Sequence, residues 1–140
     1  MTDLDFSGSK IAVFCGSKLI TYQRDDFDHI PFPGCWDLPG GGREQCETPE
    51  QCALRELQEE FELAIPEDRI SWKRRYASTT PNGLDTYFLV TNIDENELAS
   101  IQFGSEGQRW KLACIDWFLS DENVVPHLVT RLEDYLSAQV

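Results

Sequence analysis

The sequence predicts a single α/β domain in which a mixed sheet lies between helices. Three observations predict it. The chain has 140 residues, long enough for one hydrophobic core and short for two. Strand-like and helix-like segments alternate along it, the order that favours a sheet covered on both sides. Clusters of proline, glycine and asparagine separate those segments, and no repeat, low-complexity tract or linker interrupts them.

The elements follow in order. Residues 10–15, with Ile11, Ala12, Val13 and Phe14, read as a strand, Gly16-Ser17 as a turn, and residues 19–23 as the hairpin partner. Pro31, Pro33 and Gly34 make 25–35 a loop leading to Trp36-Asp37-Leu38-Pro39 and the glycine triplet Gly40-Gly41-Gly42. A helix starts at Thr48, which offers a capping hydroxyl, with Pro49 at the first helical position and Gln51 where a capping box needs it. Residues 70–78 and 86–91 read as strands joined through Pro81-Asn82-Gly83, and 110–118 as a further strand. Leu128, Leu132, Tyr135 and Leu136 recur at helical spacing, so 126–136 reads as an amphipathic closing helix.

Composition narrows the function. Hydrophobic residues make up 41% and charged residues 26%, an ordinary globular balance that excludes disorder. No apolar run reaches the length of a membrane span, and residues 1–5 lack the basic and apolar parts of a secretory leader, so the expected location is the cytoplasm. The net charge of −13 repels a long nucleic acid, although divalent cations can still bridge an acidic protein to a small polyphosphate. Five cysteines, Cys15, Cys35, Cys46, Cys52 and Cys114, form no CxxC pair, which points to reduced, mostly buried thiols.

The chemistry concentrates on the helix that begins at Pro49. At about 100° per residue, Glu56, Glu59 and Glu60 fall near 0°, 300° and 40°, one acidic stripe. Leu54, Leu57 and Phe61 form the stripe that docks on the sheet, leaving Arg55, Gln58 and Glu62 on a third, more exposed face. Clustered carboxylates repel unless a cation offsets them, and Mg²⁺ or Mn²⁺, which take oxygen ligands, suit that task. The alternative is a solvated acidic face.

The surrounding spacing decides between the two. Gly41, five residues, Glu47, seven residues, Arg55-Glu56-Leu57-Gln58-Glu59-Glu60 and then Leu63 resembles the Nudix box, so the chain is identified as a MutT-like member of the Nudix hydrolase family. Six such fixed residues arise by chance about once in ten million starting points, at a background of roughly one in fifteen each. The resemblance implies an α/β/α sandwich spanning about residues 8–136, with the box at 41–63. It also implies a pyrophosphohydrolase acting on a small nucleotide-like diphosphate with Mg²⁺ or Mn²⁺. The carbonyl of Gly40 and the carboxylates of Glu56, Glu59 and Glu60 would hold the metal, and Glu47 would pair with Arg55 to fix loop against helix. Ser105-Glu106-Gly107-Gln108 resembles the loop that supplies a further glutamate in MutT-like members, which leaves Glu106 and Glu56 as candidate bases and Glu59 and Arg55 as further members of the catalytic set. Homodimers are common in that family.

Two features depart from the resemblance or limit it. Glu62 stands where the box has glycine, so the helix is expected to run to about Leu63 or to end without a left-handed cap. MutT-type members read oxidised guanine with an asparagine before the last helix, whereas Val124 stands nearest here, with Asn123 beside it. Trp36, Tyr76, Tyr87, Phe88 and Trp110 are candidates for stacking but fit the core better, and His29 and His127 fit surface or packing roles. Two other functions remain open. A noncatalytic ligand-binding Nudix domain would show an eroded box or a fused DNA-binding segment. An isomerase on the same scaffold would need a protonating group such as Cys46 or Cys52 facing an alkene.

Overall fold

The computed structural model describes residues 5–139. Most of the N-terminal segment on which the absence of a leader was read lies outside the described residues. Within them, no helix is long and apolar enough to cross a membrane.

The central strand, β1 (Phe6–Cys15), forms a hairpin with β2 (Lys18–Gln23) through Phe14 opposite Leu19, as the alternation and the Gly16 turn predict. Two short strands, β3 (Trp36–Asp37) and β4 (Gly40–Gly42), pair with β2 and β1 respectively. The glycine triplet is thus itself a sheet edge. Gly8 lies opposite Gly42, and a Cβ on Gly8 would strike the carbonyl of Gly41, so the two strands approach more closely there than side chains allow. After the helix α1 (Pro49–Phe61), β5 (Ile70–Tyr76) and β6 (Asp85–Asn92) pair antiparallel, and β6 lies parallel to β1. The sheet order is β3-β2-β1-β6-β5, with β4 added on β1 and β7 (Arg109–Cys114) on β2.

Alternation along β1 divides the core. Ile11 and Val13 join Cys52, Ala53, Leu57 and Phe61 of α1, while Ala12 and Phe14 join Phe118, Leu128 and Leu132 on the opposite face. This is the α/β/α sandwich with a mixed sheet that the sequence predicts.

Three expectations need correction, and one helix is additional. The strand read over 110–118 stops at Cys114 and continues as α3 (Ile115–Ser120), because Ile115, Phe118 and Leu119 have helical spacing that their β propensity disguises. A short helix, α2 (Glu95–Ala99), opens with a capping box between Asp94 and Glu97 that escaped the sequence pass. The cysteines are not mostly buried: Cys52 is, Cys15 and Cys35 are half-buried, and Cys46 and Cys114 are exposed. Finally, α1 does end on a left-handed cap. Glu62 has φ 56° and ψ 36°, and its N–H donates to the carbonyl of Gln58 at 2.9 Å. Burial of the flanking Phe61 and Leu63 fixes the chain on both sides of the cap, so Glu62 adopts this conformation despite its Cβ. The closing helix α4 (Pro126–Ala138) stands where the sequence predicts it.

Candidate active site

The site is built on α1, whose start is set locally. Thr48 Oγ accepts from the Gln51 N–H at 3.1 Å, and the Gln51 side chain accepts from the Thr48 N–H at 2.9 Å. That reciprocal cap fixes the first turn and the rotation of the helix about its axis.

The chain between β4 and α1 is clamped by Arg55. Its Nε donates to Glu47 Oε2 at 2.6 Å, and its Nη2 donates to Glu47 Oε1 at 3.1 Å and to the Gly42 carbonyl at 2.8 Å. The guanidinium holds the Glu47 carboxyl below the usual carboxylate range. Nη1 of the same side chain reaches Glu59 at 3.1 Å and Glu56 at 3.4 Å. One arginine therefore connects the glycine strand, the loop and the acidic stripe.

The three helix glutamates occupy different environments. Glu60 is buried and accepts from the Gly40 N–H at 3.0 Å; burial pushes its pKa up to about 8, against the pull of Lys10 and the Gly40 hydrogen bond. Glu56 is half-buried, with its side chain 14% exposed. Burial raises it, Arg55 opposes, and Glu59 and Glu106 add to the rise. Glu59 is 57% exposed and turned toward Arg55. Gly41 lies directly beneath Glu56, since a Cβ there would overlap the Glu56 carboxylate. Glu106 belongs to an exposed loop whose Gly104 N–H donates to the Glu60 carbonyl at 2.9 Å. A cavity of about 130 Å³ lies between that loop and Glu59 and Glu60.

Glu56, Glu59, Glu60, Glu106, Arg55 and Gly40 are therefore brought to one region. Among the described residues, however, no three acidic, histidine or cysteine side chains are already set to hold a metal ion. Glu60 faces Gly40 and Glu59 faces Arg55, so joint coordination requires these side chains to turn. Their chemistry fits a hard divalent cation: the donors are all oxygens, and burial leaves Glu56 and Glu60 unfavourable to charge without an added positive partner.

Sequence reasoning missed the basic flank of the site. Lys10 Nζ donates to Asp37 Oδ2 at 3.0 Å, to the Leu38 carbonyl at 3.2 Å and to the Gly40 carbonyl at 3.4 Å. Arg24 also donates to Asp37, at 2.9 Å, and Tyr22 does so at 3.2 Å. His127, read as a surface or packing residue, lines two adjoining cavities with Lys10. Phe32, left out of the stacking candidates, is 40% exposed at the rim of one of them and has φ 51°. No local signal marked them, because Lys10, Arg24 and His127 are far apart in sequence. Of the stacking candidates, Trp36, Tyr87 and Phe88 are core residues.

With this geometry in place, comparison with known proteins gives the class. The NUDIX domain family model matches residues 11–135, and the chain belongs to that family. A stretch of 32 residues is 56% identical to an 8-oxo-dGTP diphosphatase of Proteus vulgaris; it covers 23% of this chain and 29% of that protein, so the match spans less than a third of the relative's length. Among solved structures, the MutT protein of Methanosarcina mazei Go1 superposes with a TM-score of 0.73 at 14% identity, covering 96% of each chain. An Ap4A hydrolase of C. elegans gives 0.70 at 16% identity, over 94% of this chain and 97% of that one. The NUDIX domain of Shewanella oneidensis NrtR, in complex with ADP ribose, gives 0.68 at 21% identity, over 94% and 88%. At these identities the structural likeness shows the fold.

Proposed function

We propose that this protein is a metal-dependent pyrophosphohydrolase that cleaves a diphosphate linkage in a nucleoside diphosphate derivative: a nucleoside triphosphate, a nucleotide sugar or a dinucleotide polyphosphate. The observation that carries the proposal is the convergence of Glu56, Glu59, Glu60 and Glu106 around a glycine strand locked by Arg55 and Glu47. The activities of similar proteins on 8-oxo-dGTP and Ap4A, and the ADP ribose bound by another, fit the same substrate class.

The Gly40 carbonyl and the carboxylates of Glu56, Glu59 and Glu60 are the groups that would hold Mg²⁺ or Mn²⁺. Such a cation, when bound, offsets the charge that builds on phosphoryl oxygens during attack by water. Glu56 or Glu106 orients that water and accepts its proton; burial raises the Glu56 carboxyl, the direction a general base needs. Arg55 keeps the glycine strand and the acidic stripe in register. The same proposal takes the substrate to be a small cytoplasmic molecule.

The test is release of phosphate or pyrophosphate from a panel of these compounds with Mg²⁺ or Mn²⁺, wild type beside Glu59→Gln. Metal-dependent release that collapses in the variant supports the proposal. No release by the wild type overturns it in favour of a ligand-binding domain.

A further inference from the structure

On the α4 side of the sheet, a cavity of about 240 Å³ opens between the first residues of β1, the start of β6 and α4. It has room for roughly eight waters at about 30 Å³ each. Ser7, Gly8, Lys10 and Thr86 line it from the sheet, Gly41 and Gly42 from the glycine strand, and His127 and Arg131 from α4. No acidic residue lines it, although the chain carries 25 acidic against 12 basic residues.

Arg131 is the unusual member. Its side chain is buried, with the residue 5% exposed. One hydrogen bond holds it, from Nη1 to Thr86 Oγ1 at 3.0 Å, and its guanidinium carbon lies 4.6 Å from the centre of the Tyr76 ring. Among the described residues it has no ion-pair partner; Asp134, one turn further along α4, pairs with Arg74 and with the Tyr76 hydroxyl instead. A guanidinium offers five N–H donors in a planar fork, and beyond the bond to Thr86 it borders the cavity. Buried charge without a counter-charge is costly, and that cost is offset where a ligand brings the opposite sign. Asp37, on the neighbouring β3, is likewise committed, since it accepts from Lys10, Arg24 and Tyr22.

The cavity also touches the proposed cleavage site. Gly41 lines it with one side of its backbone and supports Glu56 with the other, and Lys10 reaches the Gly40 carbonyl. One extended ligand can therefore place a diphosphate near Glu56 and a second polar group beside Arg131.

We propose that this cavity accepts an anionic group, a phosphomonoester or carboxylate borne by the substrate away from the diphosphate, and that Arg131 holds it. The identity of the ligand as substrate rests on the hydrolase proposal above; the presence of an anion site does not. Arg131 and Thr86 would then set which diphosphates are taken.

Two experiments separate these parts. In the first, the full chain, free of divalent cations, is titrated with inorganic phosphate and with acetate while the Arg131 Nε–H and the His127 ring are followed by NMR. Saturable shifts at both residues, absent at His127 in Arg131→Gln and restored in Arg131→Lys, support the site, and the anion that binds names the group. No saturable shift at Arg131 in the wild type with either anion overturns it, whatever the variants do. In the second, hydrolysis with Mg²⁺ is compared for NAD against NADP and for UDP-glucose against UDP-glucuronate. In at least one pair the member with the additional anionic group, NADP or UDP-glucuronate, should show a KM lower by about ten- to a hundredfold at similar kcat, and Arg131→Gln should erase the difference. Equal KM values within both pairs, with turnover observed, overturn the substrate role. Silence on all four compounds and on the nucleoside triphosphates and dinucleotide polyphosphates as well, beside a clear Arg131 shift, counts against the hydrolase proposal and supports the anion site.

Discussion

Arg55 grips Glu47 through two hydrogen bonds, at 2.6 and 3.1 Å, from Nε and Nη2, while Nη2 also donates to the Gly42 carbonyl and Nη1 to Glu59. The planar fork is what makes this possible, since four acceptors on three separate segments are met by one rigid group.

Lysine at position 55 keeps the charge and loses the fork. Arg55→Lys should lower kcat/KM by about ten- to a hundredfold, the scale of one or two charge-assisted hydrogen bonds. Steady-state kinetics on whichever panel compound is hydrolysed checks this, and turnover at the wild-type rate would show that the clamp is dispensable.

Gly41→Ala should separate activity from folding. The new Cβ overlaps the Glu56 carboxylate, a flexible group that can swing aside, so the melting temperature should change little. Displacement of that carboxylate should cost roughly a hundredfold in kcat. A variant as active as the wild type would remove Glu56 from the catalytic set.

Asp37→Asn should destabilise the protein by about 3 kcal/mol, because Lys10 and Arg24 would be left without their shared carboxylate. Burial pushes the Asp37 carboxyl up, but the two cations outweigh it and hold it below the ordinary value. A group depressed in this way contributes stability that is fully present above its unfolded pKa, about 4, and is lost as pH falls through its lower folded value. Denaturant unfolding at pH 7 and pH 3 should thus show the gap between wild type and variant narrowing at the lower pH; a constant gap would contradict the pairing.

Glu62→Gly should stabilise the chain. The left-handed cap at φ 56° costs a residue with a Cβ about 1 kcal/mol that glycine does not incur. Thermal melting should rise by about 3 °C. A fall would mean that the Glu62 side chain makes a compensating contribution.

The sequence made some of this legible and concealed the rest for physical reasons. The acidic stripe lies within one helix, so spacing exposes it, and the Glu47–Arg55 clamp followed from the resemblance to the Nudix box, which spans that helix and the loop entering it. Capping chemistry marks the start of α1 equally well, because Thr48, Pro49 and Gln51 act on their own neighbours. Residues 110–118 misled because Trp110, Ile115, Trp117 and Phe118 suit a strand by type, and the switch to helix after Cys114 is set by packing of α3 on the far face. The Glu62 cap was misjudged because local strain was weighed without the burial of Phe61 and Leu63. The Arg131 cavity could not be seen at all: Lys10, Thr86 and Arg131 are distant in sequence and meet only once β6 lies beside β1 and α4 covers both.

That parallel pairing of β1 with β6 also sets a timetable. Phe14 lies beside Asn92, so the central strand of the sheet lacks one neighbour until the chain has been made well past its midpoint. During synthesis at about 5–20 residues per second, β1 waits several seconds with that edge unpaired, although β2, β3, β4 and α1 are already made. Until then the sheet has an open edge, and Ala12 and Phe14 stay uncovered until α4, which packs on them, has followed. Refolding should be slow for a chain of this size, since a pairing across so long a loop is closed before any of its contacts can reward it.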